Sequence, residues 1–297
     1  MNDAGKPAAT MRLVVVSGLS GSGKSVVLKA LEDDGYYCVD NLPATLLADV
    51  SAFLAEAGHA RVAVSVDARS AALVSLPERI AALRGRGVDC RLLFLEASSQ
   101  TLLRRFSETR RRHPLLGPTR TLAEAIEQER SLLAEVAELG ERIDTSEVQA
   151  QALRRWVRAL LALSGGAPLL LIESFAFRDG LPLDADWVAD VRMLPNPHYV
   201  EALRPLTGLD VPVAEFLARE EAVQRMIADL RAHFERWLPE ILRENRSTLT
   251  IAIGCTGGRH RSVYIAERLA EALRAHGQVL VRHRALARAA AAEEGGE

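Results

Sequence analysis

Short runs of consecutive apolar residues alternate along this chain with longer stretches in which apolar positions recur every three or four residues. The first such run, Arg12 to Ser17, is mostly Leu and Val; glycines follow it, then an amphipathic stretch from Lys24 to Asp34 that Gly35 stops. The order reads as strand, loop and helix. Further apolar runs recur at Tyr36 to Val39, Val62 to Val66 and Arg91 to Leu95, with a weaker one at Arg142 to Asp144. Strands separated by helical patterning predict a mostly parallel sheet covered on both faces.

Helix starts are legible as well. Thr121 with Glu124, and Ser146 with Gln149, have capping-box spacing, in which two side chains satisfy orphan amides at a helix start. Their helices are predicted to run to Leu139 and Leu163. Ser164-Gly165-Gly166-Ala167-Pro168 then breaks the pattern, and the domain boundary is placed there. A second unit opens with an apolar strand at Leu169 to Ile172, and further strands are expected around Val188 to Met193 and at Leu249 to Ile253. Between these two, Val213 to Arg243 carries Val223, Met226, Ile227, Leu230 and Trp237 at helical spacing, with Pro239 marking a break or kink. From Ala285 to Glu297 the chain is alanine-rich, then acidic and glycine-rich, and reads as a fraying end. The expected division is a loose tail at 1–11, a first domain at 12–164 and a second at 165–297.

Composition narrows the class. At 297 residues the chain is long enough for two domains that each bury a core, and 48% hydrophobic with 26% charged residues is ordinary for a globular protein. Formal net charge is −2, from 37 basic and 39 acidic residues, so any polyanion must find a local patch. The cysteines Cys38, Cys90 and Cys255 are widely spaced and form no C-x-x-C pair, which fits a reducing cytoplasm. Residues 1–11 lack the basic start and apolar core of a secretory signal, and the apolar stretch at Ala159 to Ile172 is interrupted by Ser164, Gly165, Gly166 and Pro168. No membrane association is expected.

The pattern G-x-x-x-x-G-K-[S/T] is matched by Gly18-Leu19-Ser20-Gly21-Ser22-Gly23-Lys24-Ser25, directly after a predicted strand and at the mouth of a predicted helix. Glycines let the backbone wrap a phosphate chain, N–H groups point inward and the helix N-terminus adds a favourable field. Lys24 is expected at the β and γ phosphates, and Ser25 on Mg²⁺. A second Mg²⁺ carboxylate is expected at a strand end: Asp67, followed by Ala68, Arg69 and Ser70, is the first candidate, and Asp40 the second. Arg104, Arg105 and Arg110 to His113 concentrate charge beyond the fourth strand. They read as an arm closing over a triphosphate, as in small-molecule kinases, or as a solvated basic face or RNA patch.

A second strand-to-helix turn lies at Gly254, Cys255, Thr256, Gly257, Gly258, Arg259, His260, Arg261 and Ser262. Free amides, a helix N-terminus and three cationic or ionisable side chains suit an anion. Cys255 and Arg261 also have the C-x-x-x-x-x-R spacing of cysteine-dependent phosphatases, although Gly254 replaces the usual histidine. Pro195 to Tyr199 and Arg204-Pro205 are candidates to line this site, and Arg178 with Asp179 for the same strand end. Arg282, His283, Arg284 and Arg288 form a short basic stripe, either ordinary surface or phosphate contacts to RNA.

The segments at 18–43, 67–70, 173–198 and 251–267 together resemble the RapZ/YvcJ family over nearly the whole chain. The resemblance implies an α/β protein with an N-terminal P-loop NTPase domain, a kinase-like parallel sheet, and a second α/β domain with an anion-binding loop. Members are cytoplasmic bacterial nucleotide-binding proteins with ATPase and GTPase activity, and the enterobacterial RNase adapters among them control amino-sugar synthesis through small RNAs. By resemblance, residues 18–25 bind ATP, Asp67 to Ser70 bind GTP, and the second domain senses the sugar phosphate glucosamine-6-phosphate through 255–262. Small RNA and a ribonuclease or signalling protein are the implied partners, and a homo-oligomer is expected. Enterobacterial members end in a strongly basic run, whereas Arg284 here is followed by ALARAAAAEEGGE. A regulatory protein with weak hydrolysis is the leading expectation; a small-molecule kinase and a phosphatase at Cys255 are the alternatives.

Overall fold

Arg12–Gly18, buried from Leu13 onward, is the central strand (β1) of a five-stranded parallel sheet in the computed structural model of the protein. The structure describes residues 11–66, 75–117, 120–162, 169–243 and 248–294. After β1 come α1 (Lys24–Asp33), β2 (Tyr37–Val39), α2 (Leu47–Glu56), β3 (Arg61–Ser65), α3 (Leu76–Gly85), β4 (Asp89–Glu96), α4 (Ser99–Thr109), α5 (Leu122–Leu139), β5 (Glu141–Asp144) and α6 (Ala150–Ala162). The strand order is β2-β3-β1-β4-β5, with every pairing parallel. Val14, Val15 and Val16 are fully buried although they alternate between faces. Helices on both sides require this, so the strand reads as an unbroken apolar run.

The chain divides into two compact units between Leu160 and Leu161. The second unit contains β6 (Leu169–Ala176), β7 (Trp187–Asp190), α7 (Val211–Arg219), α8 (Glu221–Arg243), β8 (Thr248–Cys255), α9 (Arg261–Leu273), β9 (Gln278–His283) and α10 (Arg284–Glu294). Its four strands are all parallel, in the order β7-β8-β6-β9. The core joins Leu170, Ile172, Ile251 and Ile253 of the strands to Phe234, Ile265 and Leu269 of the helices. No helix among the described residues is long and apolar enough to cross a membrane.

Several local expectations are corrected. Met11, placed in the loose tail, is buried in the first core. The Thr121–Glu124 capping box is present, but Ser146 caps nothing: α6 starts at Ala150, and the Ser146 hydroxyl donates to Asp144 Oδ1 while accepting the Ser98 N–H. The long helical stretch breaks at Glu220, not at Pro239. Leu217 and Val223 are six residues apart, about 120° out of phase on a continuous helix, and a break there lets both face the core. Pro239 lies inside α8, between buried Leu238 and Ile241, which packs on the core. The stretch from Ala285 belongs to helix α10 as far as Glu294. The segment 163–168, where the boundary was expected, and residues 1–10 lie outside the described residues.

Candidate functional site

In a parallel sheet, ligands bind beyond the carboxyl ends of the strands where neighbouring connections diverge. β1 ends there, between β3 and β4, and its exit is Gly18. Gly18 has φ +137°, and a Cβ on it would occupy the position of the Leu95 carbonyl. Only glycine lets the loop turn this closely against β4. The loop is then tied down by its carbonyls. Lys24 Nζ donates to the oxygens of Gly18 at 2.7 Å and Leu19 at 3.1 Å, Arg105 donates to Gly21 O at 3.0 Å, and the Thr145 hydroxyl donates to Ser22 O at 2.8 Å. The N–H groups of three of those peptides are engaged as well: Leu19 donates to Leu95 O at 3.0 Å, Ser20 to Glu129 Oε2 at 2.8 Å and Ser22 to Leu19 O at 3.1 Å, so the loop is fixed on both sides. The first turn of α1 adds the positive end of a helix, with the Val26 and Val27 amides donating to the Gly23 carbonyl at 3.0 and 3.2 Å. Ser25 is exposed at this helix start.

The arginine arm divides. Arg105 turns inward and also donates to Thr145 O at 2.6 Å; burial, then the neighbouring Arg104, lowers its pKa from the ordinary arginine value. Arg104, Arg110, Arg111 and Arg112 stay exposed, with Arg112 donating to Leu116 O at 3.1 Å. Ser20 is gripped by Glu129, and Glu129 by His113. The sequence gives no local sign of Glu129, which looks like one more polar position on an amphipathic helix. Asp40 is exposed and accepts from the Ser65 hydroxyl, which in turn accepts the Asn41 N–H at 2.8 Å. It anchors a turn with the adjacent Asn41, whose φ is +55°. Asp67, Ala68, Arg69 and Ser70 lie outside the described residues.

In the second unit β8 likewise runs through a tight turn into α9. Gly254 passes between Phe175 and Phe177, and a Cβ there would collide with both rings. The histidine of a cysteine phosphatase has no room at this position. Cys255 is buried in the core with its Sγ 3.1 Å from Ser262 Oγ. Arg261 is also buried, and its Nη1 donates to the carbonyls of Arg192 at 2.6 Å and Leu194 at 3.0 Å, while Nη2 is 3.5 Å from Thr256 Oγ1. Cys255 and Arg261 are thus both drawn into the turn by neighbours within the second unit.

The segment after β7 folds onto this loop. Val191 N–H donates to Gly254 O at 2.9 Å, Arg259 donates to Pro205 O at 3.1 Å, and the His198 and His260 rings lie 6.4 Å apart. The proline-rich loop thus meets the second site as expected. Arg192 was missed: it chelates Asp190 at 2.7 and 3.0 Å and sits 4.0 Å over the Phe177 ring. Nothing local marks it, because its role depends on where Phe177 comes to rest. His260 is a buried residue whose Nε2 has no hydrogen-bond partner among the described residues. Burial holds its pKa below the ordinary value against hydrogen bonds to Leu203 and Arg204, and the charges of Arg259 and His198 act with the burial.

Of the basic stripe, Arg282, His283 and Arg284 turn inward and Arg288 stays exposed. Arg282 lies on β9, a strand absent from the expected set, with its Nη1 3.6 Å from Glu173. Arg284 is buried between Glu173 and Asp184 at 3.7 and 3.6 Å. His283 contacts Glu267 at 3.0 Å and Ser174 at 2.9 Å, and Arg288 contacts Asp179 at 3.2 Å. Arg178 also lies 3.7 Å from Asp179, at the end of β6.

Known proteins resemble both halves. The model of the RapZ-like N-terminal domain matches residues 11–165, and that of the RapZ C-terminal domain matches residues 168–287. A protein of Methylobacillus flagellatus named nucleotide-binding protein is 57% identical over 277 residues, which cover 93% of this chain and 99% of that protein. One of Chromobacterium violaceum with the same name is 56% identical over 279 residues, covering 94% and 99%. Among solved structures, a shikimate kinase from Bacteroides thetaiotaomicron aligns with 52% of this chain and 99% of its own, at 15% identity and a TM-score of 0.38.

Proposed function

The chain belongs to the RapZ family, and from that premise we propose that it is a two-site regulator that binds a purine nucleoside triphosphate in a domain at 12–164 and a phosphorylated amino sugar in a domain at 165–297. The observation that carries the first site is the loop from Gly18 to Ser25, whose carbonyls are tied back by Lys24, Arg105 and Thr145 at the start of α1. That arrangement fits a triphosphate: Lys24 and the helix amides would hold its oxygens, and Ser25, with Asp67, would hold Mg²⁺. The magnesium nucleotide supplies a phosphoanhydride whose charge the ion partly neutralises. The protein's part is to fix the loop and place the Lys24 charge, which supports slow hydrolysis of ATP or GTP in a mainly regulatory protein. Asp67 to Ser70 are assigned to the guanine nucleotide by family resemblance.

The second site is supported by the glycine turn into α9, with Thr256, Arg259, His260 and Arg261 around it. Glucosamine-6-phosphate is the ligand that the family suggests, and the pairing of both sites makes hydrolysis secondary to signalling. Arg282, His283 and Arg284 are engaged by internal carboxylates, so RNA is left out of this reading.

A melting screen of nucleotides and sugar phosphates on the parent, Lys24→Ala and Arg261→Ala proteins tests it. Nucleotide shifts should vanish in Lys24→Ala alone, and sugar-phosphate shifts in Arg261→Ala alone. A parent protein that no nucleotide stabilises refutes the first site.

A further inference from the structure

We infer that Glu129 and His113 are positioning residues of the Gly18–Ser25 loop, and that they supply it with fixed geometry rather than with charge. Both side chains are completely buried. Glu129, on α5, accepts the Ser20 backbone N–H on Oε2 at 2.8 Å and the Ser20 hydroxyl on Oε1 at 2.7 Å. One carboxyl group therefore holds both donors of a single loop residue that lies 109 positions away in the chain. His113 completes the set. Its Nδ1 accepts the Leu115 N–H at 3.1 Å, which puts the ring proton on Nε2, and Nε2 donates to Glu129 Oε2 at 3.1 Å. Glu129 acts here only as an acceptor.

The inference rests on the reading of this loop as the nucleotide site. A loop that must order itself on binding gives up affinity to conformational entropy, and one already fixed does not. With Ser20 held by Glu129 and the carbonyls of Gly21 and Ser22 by Arg105 and Thr145, the three consecutive residues between Leu19 and Gly23 are each fixed from outside the loop. His113 directly follows the exposed run Arg110 to Arg112, so the same carboxyl group also fastens the arginine segment to the loop.

Geometry and charge can be separated. Glu129→Gln keeps the length: its amide oxygen can accept from Ser20 N–H and His113, and its NH₂ can donate to a rotated Ser20 hydroxyl. Glu129→Asp keeps the charge and withdraws the group by one methylene. Affinities of the full chain for Mg-ATP and Mg-GTP are measured by titration calorimetry, with melting curves showing that each variant is folded. The Gln variant should stay within about threefold of the parent, whereas the Asp and Ala variants should lose about tenfold or more. His113→Ala should weaken the parent by about three- to tenfold but leave Glu129→Ala no weaker than it was, because His113 acts through Glu129. Retained affinity in the Asp variant with loss in the Gln variant overturns the inference, as do additive effects of the two alanines. If the Asp variant does not fold, Ser20→Ala replaces it: a loss of about two- to fivefold is expected, and parental affinity overturns the inference. A parent that binds neither nucleotide refutes the underlying site instead.

Discussion

Lys24 Nζ lies 2.7 Å from the carbonyl oxygen of Gly18, the residue at which β1 ends. With Leu19 O at 3.1 Å as a second acceptor, the ammonium is placed over its own loop before any ligand arrives. A pre-placed cation acts on the phosphates without reorganisation.

Lys24→Ala should therefore weaken nucleotide binding by about tenfold or more, roughly 1.4 kcal/mol at least. Melting of the nucleotide-free protein should change little, since each lost hydrogen bond is worth only about 1 kcal/mol. Paired melting curves with and without nucleotide check this. An undiminished nucleotide shift would exclude the lysine from the site.

Gly254 makes the second loop dependent on a hydrogen atom. A Cβ at this position meets both Phe175 and Phe177, and both rings sit in the packing that leads into the turn. Gly254→Ala should destabilise the second unit by about 1–3 kcal/mol. It should also remove the sugar-phosphate shift while leaving the nucleotide shift intact. Circular-dichroism melting with each ligand checks both halves of the statement.

Two histidines of the second unit set its acid limit. Burial lowers the pKa of His260, and burial lowers that of His283 despite the adjacent Glu267. The unfolded chain protonates them near the ordinary histidine value of about 6.5. Because the folded values are lower, the stability they confer is present above that value and is lost as pH falls through the folded values. Urea unfolding should show flat stability above neutrality and a decline below about pH 6.5. His260→Gln should make that decline shallower, and a bound phosphate monoester, which favours a nearby cation, should do the same.

The parts legible in the sequence are those whose cause is local. The loop from Gly18 to Lys24 is announced by a strand before it and a helix after it, and Gly254 to Ser262 by the same order. Strands β1, β3 and β4 of the first sheet follow from apolar runs that burial on both faces demands, whereas the edge strands β2 and β5 are short and partly exposed. Tertiary partners decided the rest. Glu129 is indistinguishable in sequence from the exposed Glu127 beside it until Ser20 arrives from the other end of the domain. Arg261 looks like a ligand-facing cation, yet the carbonyls of Arg192 and Leu194 take one end of its guanidinium. Gln278 to His283 has only a short Val-Leu-Val centre, and its role as an edge strand depends on pairing with β6.

Arg284 offers the clearest contrast between a surface stripe and a buried network. It opens α10, is only 7% exposed, and lies between Glu173 and Asp184, whose side chains are fully buried. Removing Arg284 takes one cation from a buried ionic cluster in which Arg282 still faces Glu173, at a cost of up to about 3–5 kcal/mol. Arg284→Ala should show that loss in urea unfolding. Arg288→Ala, at a residue whose side chain is 56% exposed, should fall within about 1 kcal/mol of the parent. Ala285, the next residue, lies where a Cβ on Gly258 would touch it, so loss of the Arg284 anchor should also loosen the loop at Gly254 to Ser262. The sugar-phosphate melting shift should therefore shrink in Arg284→Ala and persist in Arg288→Ala. Equal stability of the two variants would mean that Arg284 is a surface residue after all and that α10 is held by other contacts.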